Sequence, residues 1–124
     1  MKQLDHKIFP SEERTIYVES DEVYGGAHRY GIQNSVGYED NRASYDPSFQ
    51  YIHFVEKSDT GHVSPGLQSE QLALVLLDRT QKLNARFPSP FNVRMIEGLE
   101  IYLNACKDRV LDRIERGVMG KLKK

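Results

Sequence analysis

The stretch NVRMIEGLEIYLNACKDRVLDRIER, residues 92–116, keeps one periodicity longer than any other segment of the chain. Met95, Ile96, Leu99, Tyr102, Leu103, Cys106, Val110 and Ile114 recur at steps of three and four, which lines one side of a 3.6-residue helix with apolar groups that have to be covered. Arg109, Arg113 and Arg116 fall at the same steps on a neighbouring side, giving a strip of guanidinium groups on successive turns. That strip either receives an anion or pairs with Asp108, Asp112 and Glu115 on a solvated surface. Gly98 interrupts the run, which implies a close backbone approach at that point or a tolerated cost of about 1 kcal/mol against alanine.

Upstream, Leu72, Leu74, Val75, Leu76, Leu77 and Leu83 form a second apolar stripe, and Arg79, Lys82 and Arg86 give its C-terminal part a basic character suited to the helix dipole. Pro88 and Pro90 are expected to stop this first helix, with Asn92 as the N-cap of the long one. Two helices joined so tightly fold back as an antiparallel hairpin.

The first half reads differently. Thr15–Glu19 alternates like a half-buried strand. Val23–Gln33 resumes extended character around Gly25-Gly26, which allows a bulge or a close backbone approach. Residues 34–48 mix Gly, Asn, Asp, Ser and Pro and read as a loop holding one short strand, and Phe49–Glu56 is the clearest strand. Lys57–Pro65 is the loop that leads into helix. The fold class expected is α+β: one domain of residues 1–124, with a small, mostly antiparallel sheet in residues 1–66 followed by a C-terminal antiparallel helical hairpin in residues 67–124.

The chain has 124 residues, 39% hydrophobic and 28% charged, which suits one modest soluble domain. No apolar run approaches the ~18 residues of a membrane span, and the polar Met1–Pro10 does not read as a signal peptide. The single cysteine, Cys106, points to a reducing, cytosolic setting. Net charge is −1 but unevenly spread: residues 1–66 carry six Lys and Arg against eleven Asp and Glu, a net −5, and residues 67–124 carry eleven against seven, a net +4. A near-neutral total argues against general DNA or RNA binding, and the opposed halves are expected to attract within or between protomers.

His6, His28, His53 and His62 form no helical ligand pair, and one cysteine cannot complete a zinc site, so no metal and no cofactor are expected. No P-loop, dinucleotide fingerprint, nucleophile elbow or paired-carboxylate pattern is present. His28 or His53 beside a carboxylate would be the candidate general base, against the plainer reading of a structural strand histidine. The chain does not read as an enzyme. A binding constellation remains: arginines of the long helix for phosphate oxygens, Asn92 for a ribose or adenine edge, and Phe87 or Phe91 as a flat wall. The plainer readings are hairpin core for the phenylalanines and a helix cap for Asn92.

The order of Gly25-Gly26-Ala27-His28, Leu72–Leu77 with Asp78-Arg79, Phe87 and Asn92, then Asp112-Arg113, Arg116-Gly117-Val118 and Gly120 resembles a family of small phage proteins, the Thoeris anti-defence proteins of the first type. The resemblance implies a phage sponge that binds glycocyclic ADP-ribose, an immune signal of the infected bacterial host's cytoplasm, and sequesters it uncleaved, blocking Thoeris defence. It implies Asn92, Phe87, Phe91, Leu83, His28, Arg113 and Arg116 around that cyclic ADP-ribose ligand. Lys57 and Arg109 would serve a second pocket for cyclic oligonucleotides, cyclic di- or trinucleotides among them. It also implies a homo-oligomer, from dimer to hexamer. Where the family has an aromatic residue about ten positions before the asparagine, this chain has Lys82-Leu83, so Phe87 or Phe91 would supply the stacking wall. A different reading, from another class, is a phage interaction protein that inhibits a host protein through its sheet edge or helix face.

Overall fold

A computed structural model of the protein describes residues 1–21 and 26–117, with backbone alone for Ser20, Asp21 and Gly26. Val23 and Gly25 of the expected second strand, and Val118 and Gly120 of the C-terminal motif, lie outside the described residues. The architecture is α+β. The order is β1 (Lys2–Gln3), α1 (Pro10–Glu13), β2 (Ile16–Asp21), β3 (Gly26–Glu39), β4 (Arg42–His53), β5 (Glu56–Lys57), β6 (Val63–Ser64), α2 (Ser69–Arg86) and α3 (Pro90–Glu115). The chain divides into two compact units, Met1–Gly66 and Leu67–Lys124.

In the first unit β1–β4 form one antiparallel sheet in that spatial order, and β5 and β6 pair separately. Tyr17, Gly31 and Tyr51 stand opposite one another across three strands. A Cβ on Gly31 would come within 3.3 Å of both the Phe49 and Tyr51 rings, so glycine makes room for that stack, and Tyr17 closes it edge-on, its ring centroid 5.6 Å from that of Phe49. The alternate residues Val18, Tyr30 and Ile52 share the opposite face.

Residues 34–48 are not the loop their composition suggested. They carry β3 and β4 through a two-residue turn at Asp40-Asn41, both at positive φ (50° and 65°). The pairing slips between Gln33 and Ser35 and again between Ser35 and Gly37, and these irregularities erase the period-2 alternation that marks a strand. A bulge lies at His28, because Glu19 pairs Arg29 while Ser20 pairs Ala27, leaving His28 as the extra residue; the Gly25 of the expected bulge or close approach lies outside the described residues.

The buried Glu13 carboxylate organises the N-terminal segment. Its two oxygens accept the backbone N–H groups of His6, Lys7, Ile8 and Phe9 at 2.5–2.9 Å. Those donors, Phe9 foremost, hold its carboxyl below the usual range.

In the second unit Gln68 and Gln71 form a reciprocal capping box at the start of α2. α2 and α3 pack on each other across the short link Phe87, Pro88 and Ser89, with Ala73 and Cys106 buried. Two expectations are corrected here. Pro90 opens α3 at its first position rather than stopping α2, since its missing N–H is one that a first turn leaves unpaired anyway. The N-cap is Ser89, whose Oγ accepts the Asn92 N–H at 3.0 Å; Asn92 sits a turn inside. At Gly98 an added Cβ would meet nothing within 4 Å, so no neighbouring backbone of this chain calls for glycine there. The α3 stripe is covered at Ile96, Leu99, Leu103, Cys106 and Val110, but Leu74, Val75 and Leu76 of α2 and, off the stripe, Ile101 and Leu111 of α3 are all more than half exposed. No helix among the described residues is long and apolar enough to cross a membrane.

Candidate functional site

The link between α2 and α3 is held by side chains of the chain itself. Asn84 Oδ1 accepts the Ser89 N–H at 3.2 Å, Ser89 Oγ accepts that of Asn92, and Asn92 Nδ2 donates to the Phe87 carbonyl at 3.0 Å. Phe87 N–H in turn donates to the Leu83 carbonyl at 2.7 Å, closing α2. These four hydrogen bonds within residues 83–92 tie the turn to its neighbours and so restrict the connection's geometry.

This arrangement leaves two aromatic rings outward, Phe87 at 62% exposure and Phe91 at 68%. Neither is hairpin core. Leu83, one turn before Phe87, is also exposed, and the Arg86 guanidinium lies over the Phe87 ring at 5.2 Å. Arg86 drew attention in the sequence only for the helix dipole; its place over the ring makes it a cation beside a flat apolar wall. Asn92 uses its amide N–H₂ internally, while its Oδ1 has no hydrogen-bond partner among the described residues. Phe87, Phe91, Asn92 and Leu83 therefore gather at one end of the helical pair.

The other named residues are elsewhere. Arg109, Arg113 and Arg116 lie at the far end of α3. At 1.5 Å per residue, Asn92 and Arg113 are roughly 30 Å apart along the axis, beyond the reach of one small nucleotide bound to a single protomer. Arg116 pairs with Asp112 at 3.0 Å, as the solvated-surface reading has it. Arg113 is half-buried, whereas Arg109 is exposed and makes no ion pair among the described residues.

His28 and Lys57 belong to the sheet unit, His28 at the bulge and Lys57 in β5. His28 Nδ1 is buried without a hydrogen-bond partner among the described residues. His53 Nε2 accepts from Arg29 Nε at 2.6 Å, and Glu56 lies 3.6 Å from both, so the lone pair a general base would use is already engaged. No group of three or more potential metal ligands gathers among the described residues.

The sheet unit also holds a cavity of about 360 Å³, lined in part by Phe9, Glu12, Arg14, Tyr38, Arg42 and Tyr45. Its residues come from α1, the segment before β2 and the β3–β4 turn, so no local spacing announces it. The Tyr45 hydroxyl donates to Glu12 Oε2, and that bond together with burial pushes the phenol up to about 12.

Neither a known family's model nor a curated protein matches this chain.

Proposed function

We propose that this protein is a non-catalytic sponge that captures a cyclic ADP-ribose-type immune signal, glycocyclic ADP-ribose, in the cytoplasm of an infected bacterial host and so blocks Thoeris defence. The observation that carries the reading is the rigid turn. It holds two exposed phenylalanine rings near the Asn92 side-chain carbonyl, which has no partner among the described residues, with Arg86 over one ring. An adenine needs a flat apolar wall and an acceptor for its amino group, and a pyrophosphate needs cations; the turn offers the first two and Arg86 begins the third.

The arginine strip enters through assembly. Since Asn92 and Arg113 are roughly 30 Å apart on one helix, a ligand touching both would be shared by two protomers whose α3 helices run antiparallel. The exposed apolar residues of α2 and α3 would furnish that contact, and a homo-oligomer, dimer to hexamer, follows from the same reading. Lys57 and Arg109 are the proposed cations of a second pocket for cyclic oligonucleotides. The same exposed helix faces favour one other reading, a phage interaction protein that inhibits a host protein through a helix face.

One experiment separates these. The protein is incubated with glycocyclic ADP-ribose, freed of unbound ligand, then heated, and the released molecule is analysed. Intact ligand in amounts comparable with the protein is the expected result. A cleaved product would make the protein an enzyme, and no capture would leave the interaction protein. Arg109→Ala should abolish cyclic-oligonucleotide binding while sparing ADP-ribose capture; loss of both would mean a single site.

A further inference from the structure

The cavity in the sheet unit combines features that a purely structural hollow does not need. Arg14 and Arg42 line it, both exposed, and neither makes an ion pair or side-chain hydrogen bond among the described residues. Two unpaired guanidinium groups at one concavity form a fork-shaped receptor for an oxyanion. Phe9 and Tyr38 line it as well, and at 60% and 83% exposure their rings serve no core. Such rings are platforms on which a planar heterocycle stacks. The floor is set: the Thr15 hydroxyl, on a residue only 6% exposed, donates to the Glu12 carbonyl at 2.6 Å, and Tyr45 fixes one oxygen of the Glu12 carboxylate. The other carboxylate oxygen remains an acceptor for an amino or ring N–H group.

A bare phosphate would leave most of about 360 Å³ and both rings unused, while an uncharged nucleoside would leave both guanidinium groups without a partner. We infer that this cavity is a binding site for a nucleoside monophosphate, the base stacked on Phe9 or Tyr38, its amino edge on Glu12 and the phosphate on Arg14 and Arg42. The site lies wholly within the sheet unit and owes nothing to the turn between α2 and α3. It therefore stands or falls separately from the sponge reading.

The test titrates the full chain with guanosine 5′-monophosphate, guanosine and inorganic phosphate, followed by calorimetry and by backbone amide shifts. Saturable binding of the monophosphate below about 1 mM is expected, with shifts confined to residues 9–15 and 38–45 and the two fragments at least about tenfold weaker. Arg42→Ala and Tyr38→Ala remove exposed side chains, so the amide spectrum should keep its dispersion while affinity falls about tenfold or more. Asn92→Ala should leave this affinity unchanged. The inference is overturned if the monophosphate does not saturate, if phosphate alone binds as tightly, if shifts fall outside those segments, or if both variants bind like the parent chain.

Discussion

The two units solve the problem of a small core in opposite ways. The sheet unit leaves apolar side chains such as Ile8, Val36 and Tyr51 exposed but is tied together by polar and aromatic fixtures: Glu13 receives four backbone N–H groups, Tyr45 holds Glu12, and Tyr17, Phe49 and Tyr51 gather over Gly31. The helical unit has well-made ends and a tied turn, yet buries little more than Ala73 and Cys106 and leaves large apolar side chains in water. Local hydrogen bonding can finish a sheet of this size, but it cannot finish two amphipathic helices, whose stability comes mostly from what covers them.

The sharpest way to break this contrast is to charge the helical faces. Ile101→Glu and Leu76→Glu replace exposed side chains, so they should leave the protomer's secondary structure intact while weakening self-association about 100-fold or more, read as a fall in mass toward 14.3 kDa in light scattering. An unchanged mass would show that these faces are not the ones covered. Asn92→Ala comes next. It should cost about 1–3 kcal/mol in affinity for the cyclic ADP-ribose ligand, and about 1 kcal/mol in stability from the lost bond to the Phe87 carbonyl. If stability falls and affinity does not, the residue only ties the turn.

On the sheet side the lever is pH. The Glu13 carboxyl is lowered in the folded chain, so its contribution is complete above its ordinary value and lost as pH falls through the lowered one. Glu13→Gln should mimic the acid state at neutral pH, with the amides of Lys7, Ile8 and Phe9 exchanging about tenfold faster while those of α2 and α3 are unaffected. Tyr45 runs the other way. Its phenol is raised, so its support is complete below the ordinary tyrosine value and lost as pH rises through about 12; absorbance should show one late-ionising tyrosine that Tyr45→Phe removes. The smallest effect expected is from Gly98→Ala, a gain of up to about 1 kcal/mol in thermal unfolding. A loss of assembly in that variant would instead place another protomer's backbone against Gly98.

The legibility of the sequence follows the same divide. α2 and α3 were readable because a 3.6-residue period survives over many turns, and the α+β order followed from it. Their junction was misread by three residues: Ser89-Pro90 is itself a start signal, a hydroxyl cap followed by proline at the first position, and it outranks Asn92. The β3–β4 hairpin was hidden because slipped pairing breaks alternation and its turn is Asp-Asn rather than Asn-Gly. Of the candidate residues, those at the turn could be grouped from chain neighbourhood alone. Arg86 over Phe87 and the Asn84–Ser89–Asn92 ties are local too but depend on side-chain rotamers that no pattern encodes, and the cavity depends on where separate segments come to rest.

The sheet's two outer strands have a consequence for abundance. β1 is two residues long, and β4, the other border, contains Pro47 and is paired to β3 with two slips, so neither side offers a long regular row of backbone donors and acceptors to a neighbouring molecule. A sponge of the kind proposed would have to reach concentrations comparable with its ligand. Borders that resist edge-to-edge growth would let such a chain accumulate without precipitating.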